Sequence, residues 1–288
     1  MTTKEFSIEI NATPEKIWFV LWDDHHYCQW TSVFCEGSYM VTDWKEGGRV
    51  HFLAPNGEGM YSLLEANKPN EHMYFRHIGE IKDYEEQPVD EKNGSWSGAR
   101  EYYSLSKPDA SRVTTVLNVL MDIDDTHLPY FEETFPKGLS KVKELAENFR
   151  ITIKTEVKKP VEEVWEKWTS PEHIVNWTFA SDDWHAPRAE NDLKAGGKFS
   201  TRMEARDGSI GFDFRGIYDQ VETHSQIAYT MGDDRKCTIT FTSAGDKTMI
   251  LESFEAENTH SLTMQREGWQ AILNNFKKYC EEKGSDLF

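Results

Sequence analysis

One block of sequence recurs at a fixed distance. Pro14-Glu15-Lys16-Ile17-Trp18 is followed twelve residues later by Trp30, and Pro160-Val161-Glu162-Glu163-Val164-Trp165 is followed twelve residues later by Trp177. Both tryptophans keep one offset (165 − 18 = 147 and 177 − 30 = 147). Further markers follow in the same order. Gly47-Gly48 before Phe52 answers to Gly196-Gly197 before Phe199, and Gly59-Met60-Tyr61 with Glu65 answers to Gly216-Ile217-Tyr218 with Glu222. The offset drifts to 149, to 157 and then to 130 at Gly138 and Gly268, so the length changes fall between the markers. That is what one folded unit, copied and then altered at its loops, leaves behind. A repeat of about 145 residues is domain-sized and far longer than a solenoid repeat. Two domains are therefore expected, 1–147 and 148–288.

Each half is long enough to bury one core without metal or disulfide support. The net charge of −18 divides into −12 for residues 1–147 (14 basic, 26 acidic) and −6 for 148–288 (18 basic, 24 acidic). Acidity on that scale disfavours nucleic acid and anionic membrane surfaces as partners. No apolar run reaches the roughly 18 residues of a membrane helix. The start, Met1-Thr2-Thr3-Lys4-Glu5-Phe6, lacks the charged head and apolar run of a signal peptide, so a cytoplasmic location is expected. Cys28, Cys35, Cys237 and Cys280 form no C-x-x-C pair and occupy no equivalent repeat positions, which reads as free thiols.

Within each half the periodicities repeat. Phe6-Ser7-Ile8-Glu9-Ile10 and Ile151-Thr152-Ile153-Lys154-Thr155-Glu156-Val157 alternate apolar and polar, as a half-buried strand does. A short helix follows with proline at or near its first turn, then a second short helix running into Trp30 or Trp177. The glycine pairs mark turns before a series of short strands, read in the second half as 197–206, 210–221, 225–231, 236–242 and 248–255. Each half closes on an amphipathic helix. Trp269, Ile272, Leu273, Phe276 and Tyr279 form its apolar stripe in the second half, and Leu139, Val142, Leu145 and Ala146 a weaker one in the first. Both helices are expected to begin at glycine, Gly138 and Gly268. The fold class is α+β: two tandem units, each a curved antiparallel sheet around a long C-terminal helix, with two short helices after the first strand. A sheet curling round one helix leaves a wedge, and an aromatic-lined wedge is a cavity.

This order of elements, together with three second-half segments, resembles the START-like, helix-grip (SRPBCC) superfamily and specifically the domain named for the activator of Hsp90 ATPase. The segments are Trp165 to Trp177 with Thr169-Ser170-Pro171-Glu172-His173, Leu193 to Phe199, and Phe254-Glu255-Ala256-Glu257-Asn258. The closing run Met264-Gln265-Arg266-Glu267-Gly268-Trp269, continuing to Tyr279, carries the likeness most specifically. The first half departs from the pattern. It has Asp23-Asp24-His25-His26 in place of Ser170-Pro171-Glu172-His173, lacks the closing run, and carries an acidic insertion around Glu80 to Asn93. The resemblance implies a fold and a cavity, and members that include apolar-ligand carriers, cyclase-like proteins and a chaperone cofactor with a stress-response role. Fold alone does not choose among these.

The candidate chemistry is sparse. Asp23-Asp24-His25-His26 offers metal-ligand types, but helical ligands sit three or four apart and the second copy lacks the set, so no metal is expected. His26 and His173 are read as helix-end residues packing beside tryptophan rather than as bases. No phosphate loop, nucleophile elbow, zinc helix or dinucleotide fingerprint appears, and no cofactor is expected. Glu252 follows Ile250 and precedes Phe254 by two residues, so it faces the wedge if they do. Solvent exposure is the expectation, because buried glutamate without a partner is rare.

Trp177, Phe199, Phe212, Phe214, Tyr229, Phe241 and Trp269 are expected around a pocket in the second domain, with Trp30, Phe52, Tyr61, Phe75 and Tyr103 as looser counterparts in the first. The better-matching second copy is expected to hold the working pocket. Three functions compete: a module binding a small apolar or aromatic ligand, a co-chaperone-like module with a chaperone partner, and a cyclase- or hydrolase-type enzyme using Glu252 or His173. Binding stands first, because aromatic lining is present and no recognisable catalytic set is.

Overall fold

The computed structural model describes residues 1–89, 96–108 and 113–282; positions 90–93 of the acidic insertion lie outside the described residues. The chain divides into two compact units, Met1–Phe149 and Arg150–Phe288.

The first unit runs β1 (Thr2–Ile10), α1 (Pro14–Trp22), α2 (Asp24–Thr31), β2 (Tyr39–Thr42), β3 (Arg49–Leu53), β4 (Gly59–Lys68), β5 (His72–Lys82), β6 (Glu85–Glu86), β7 (Arg100–Ser106), β8 (Thr115–Ile123) and α3 (Leu128–Glu147). The second runs β9 (Arg150–Val157), α4 (Val161–Thr169), α5 (Pro171–Ile174), β10 (Trp184–Asn191), β11 (Lys198–Ala205), β12 (Gly211–Glu222), β13 (Gln226–Met231), β14 (Lys236–Ala244), β15 (Lys247–Glu255) and α6 (Leu262–Glu281). Every strand pairing is antiparallel; the sheet orders are β1-β8-β7-β5-β4-β3-β2, with β6 added to β5, and β10-β11-β12-β13-β14-β15-β9. In each unit the first strand therefore closes against the last, and the long helix packs on the first strand. Phe135 of α3 stacks on Phe6 of β1 with ring centroids 4.8 Å apart, and Trp269 of α6 stacks on Phe254 of β15 at 3.9 Å.

The repeated residues recur because they do the same job. A buried indole N–H needs an acceptor. Trp30 donates to the Leu21 carbonyl of α1 at 3.2 Å, and Trp177 to the Lys167 carbonyl of α4 at 3.1 Å. The glycine pairs match as well: Gly47 N–H donates to the Leu64 carbonyl and Gly196 N–H to the Tyr218 carbonyl, each 2.7 Å, while Gly48 and Gly197 accept from the same two partners. Gly59 and Gly216 are close approaches. A side chain at Gly59 would overlap the Phe52 carbonyl oxygen, and one at Gly216 would lie 2.5 Å from the Thr230 oxygen and 2.7 Å from the Phe199 ring. Gly216→Ala is expected to destabilise the protein by about 1–3 kcal/mol, as overpacking does, read as a lower urea midpoint at unchanged slope.

Three expectations need correction. The closing helices begin at Leu128 and Leu262, before the glycines, which lie inside them. Ser261 supplies the missed start signal, its hydroxyl accepting from Met264 N–H at 3.1 Å. Strand β10 precedes the glycine pair and escaped the periodicity. It is a sheet edge, carries Pro187 and is buried on neither face in regular alternation. Third, Glu252 is 6% exposed, whereas Met249 and Leu251 are 38% and 40% exposed. The register that buries Ile250 and Phe254 carries Glu252 inward with them, opposite Ile239 and Ile153. Two large apolar side chains outweigh one carboxyl group that can be buried in its neutral form.

Candidate functional site

A cavity of about 690 Å³ lies in the first unit, between the inner face of the sheet and the three helices. Trp22 of α1, Tyr27 and Trp30 of α2, Phe52 of β3, Phe75 of β5, and Phe131 and Phe135 of α3 supply aromatic wall. These rings hold one another: Trp22 meets Phe75 and Tyr103 edge-on at 5.5 and 5.0 Å, and Phe52 meets Phe75 at 5.3 Å. Strand alternation aims the sheet residues inward, with Met73, Phe75 and His77 buried on one face of β5 and Glu101 and Tyr103 on one face of β7.

The polar end of the cavity is a connected set. The Tyr103 hydroxyl donates to Glu101 Oε1 at 2.6 Å, His77 Nε2 stands 3.3 Å from Glu101 Oε2, and His77 Nδ1 is 2.8 Å from Ser62 Oγ. All four side chains are buried, Ser62 completely. Burial holds the Tyr103 and Tyr27 hydroxyls well above the usual tyrosine range, and the charge of Glu101 adds to both. His77 and Glu101 escaped the sequence reading. The available signal was period-two alternation, which places each in line with a buried aromatic two residues away.

Of the first-unit candidates, Trp30, Phe52, Phe75 and Tyr103 line the cavity and Tyr61 does not. A bulge between Tyr61 and Ser62 turns Ser62 toward His77. Tyr61 packs instead with Leu53 and Ile81, its hydroxyl donating to the Gln87 carbonyl at 3.2 Å. In the second unit the rings close on one another in two groups. Phe199 meets Phe214 and Tyr229, and Phe214 meets Trp269. Trp177 and Phe241 join through Trp168, which with Trp177 encloses Phe276. Phe212 is 47% exposed at the end of β12 and packs on Trp184, so it belongs to no enclosed wall. The cavity described here lies in the divergent copy, the one with the fainter family pattern.

Glu252 sits on the inner face of the second sheet with Cys237 Sγ 3.7 Å from its Oε1. Burial raises its carboxyl pKa to about 7, and the Cys237 contact opposes the rise. Burial also pushes the Cys237 thiol well up, with the charge of Glu252 adding to it. His173 is tied to α6, its Nδ1 2.6 Å from the Tyr279 hydroxyl. His26 pairs with Asp23 at 2.7 Å, the carboxylate that also caps α2, and its ring packs on Phe19 and Phe149 rather than on tryptophan. All four cysteines are free thiols. Among the described residues no three His, Cys, Asp or Glu side chains converge as a metal ligand set, and no helix is long and apolar enough to cross a membrane.

A curled antiparallel sheet gripping one long C-terminal helix, present twice, places the chain in the helix-grip, START-like class. A family model described as "Activator of Hsp90 ATPase homolog 1-like protein" matches residues 158–281. A solved protein from Cytophaga hutchinsonii is 54% identical, covering 46% of this chain and 92% of its own, with a TM-score of 0.42. The AHSA1-like protein from Aeromonas hydrophila is 40% identical over 46% of this chain and 92% of its own, with a TM-score of 0.45. The di-domain ARO/CYC BexL is similar across 98% of this chain and 100% of its own, at 13% identity and a TM-score of 0.36. No curated protein matches the chain. By the family match and the identity to these relatives, the chain belongs to the AHSA1-like family.

Proposed function

We propose that the chain is a binding module for a small apolar or aromatic molecule, held in the first unit between the sheet and α3. The supporting observation is the cavity itself: about 690 Å³ with aromatic walls and one polar end, within the roughly 300–1,000 Å³ range of small-molecule sites. Apolar burial supplies affinity, and the set around Glu101 supplies orientation.

The test is a melt of the whole chain against small aromatic compounds, with calorimetry on any that shift it. Saturation at about a hundred times Kd stabilises the folded state by roughly 2.7 kcal/mol. Phe52→Ala removes one ring from the wall and is expected to weaken binding about tenfold, the loss of a ring contact together with its buried area. If no compound of suitable size raises the melting temperature, the carrier reading is wrong.

A further inference from the structure

We infer that the first-unit cavity selects a ligand with a protonated amine at the end of an aromatic or alicyclic body, and rejects carboxylates of the same shape. The inference rests on the binding role proposed above and assigns the chemistry of the ligand.

Glu101 carries the argument. It is 8% exposed and lines the cavity wall beside Tyr103 and His77. One of its oxygens accepts from Tyr103 and the other faces His77. A carboxylate has about four acceptor sites, so each oxygen retains one for a donor arriving through the cavity. A donor that also brings positive charge gains most, because hydrogen bonds between charged groups are the strong ones and the surroundings screen them little. The aromatic walls act in the same sense, since the faces of tryptophan, tyrosine and phenylalanine attract cations.

The charged residues of the lining reinforce the sign. Glu58, Glu80, Asp122 and Asp124 also border the cavity, against a single lysine, Lys82, whose ammonium pairs with Glu80 at 2.8 Å. The other bordering groups able to carry positive charge are His77, beside Glu101, and His127, 3.9 Å from Asp124. A ligand carboxylate entering here would approach Glu101 without an arginine or an unoccupied lysine among the described lining residues. Like charge at short range in an apolar enclosure excludes it.

Isothermal titration of the whole chain at neutral pH with naphthylmethylamine, naphthylmethanol and naphthoic acid tests the assignment. These probes share one ring system and differ in the charge of one substituent. The amine is expected to bind at least about tenfold more tightly than the alcohol, the difference a charge-assisted hydrogen bond makes, and the acid most weakly. Glu101→Gln is expected to bring amine and alcohol within about twofold of each other, with alcohol binding and the melting temperature serving as the control for folding. Equal binding of all three, or tightest binding of the acid, overturns the cation assignment and leaves the carrier role standing. An amine preference that survives Glu101→Gln overturns the role of Glu101. Should that variant fail to fold, the amine-to-alcohol ratio of the unaltered chain decides alone. Failure of all three to bind overturns this inference, and the carrier reading is then decided by the wider melt against aromatic compounds.

Discussion

Glutamine in place of Glu252 is expected to leave stability unchanged in acid and to raise it by about 3 kcal/mol above neutrality, from a pKa shift worth some 1.4 kcal/mol per unit. The native carboxyl group titrates at about 7 because burial disfavours its charge, and the reference value in the open chain is 4.5. Below about pH 4.5 both states hold the proton and the group contributes no pH dependence. Between about 4.5 and 7 the unfolded chain releases the proton while the native state keeps it, so stability falls as pH rises. Above that window both are ionised and the full penalty of a buried charge is present. Glutamine is close in shape and does not ionise, so the variant lacks this slope. Scanning calorimetry of both proteins across the window checks it. Many other carboxylates titrate in the same range, so the informative quantity is the difference between the two curves; parallel curves would refute the buried placement of Glu252.

Phe276→Ala is expected to cost about 3–5 kcal/mol, the range for deleting a buried aromatic ring. Phe276 is fully buried in α6, with its ring centroid 4.6 Å from Trp168 and 4.8 Å from Trp177. Its removal opens a cavity at the point where the closing helix meets the repeated tryptophan. Met264→Ala on the same helix removes a side chain that is 60% exposed and is expected to stay within about 0.5 kcal/mol, as surface changes do. Urea denaturation of the pair against the unaltered chain distinguishes the packing of α6 on the two tryptophans from a general loss of helix propensity. Similar midpoints for the two variants would contradict the packing described.

The repeat was legible because each marker answers a local need that both copies share. Trp30 and Trp177 need a carbonyl for the indole N–H, and both find it on the preceding helix. Gly59 and Gly216 leave room for a neighbouring carbonyl oxygen. The stripe from Trp269 to Tyr279 identified the closing helix, although Ser261, which caps it, went unread. Edge strand β10 was illegible because a strand with one neighbour and Pro187 need not alternate. Glu252 illustrates the limit of treating one residue at a time. The statistics of glutamate favour water, whereas the strand as a whole turns whichever face carries Ile250 and Phe254 inward.

The site was only partly legible. Trp30, Phe52, Phe75 and Tyr103 reach the cavity because helix phase and strand alternation are local properties. Tyr61 leaves that wall at a bulge, which is created by pairing with β5 rather than by its own neighbours in sequence.

From the linear chain alone come two copies of one α+β unit, their order of elements, and the residues whose spacing must face a core, since all of these follow from backbone periodicity and from requirements met within a few residues. Tertiary structure decided the rest. His77 and Glu101 lie on different strands and meet because β5 pairs with β7. Whether aromatic rings enclose a space or close on one another depends on how helix and sheet seat together, which no local pattern records. The copy with the fainter family pattern accordingly holds the cavity of about 690 Å³.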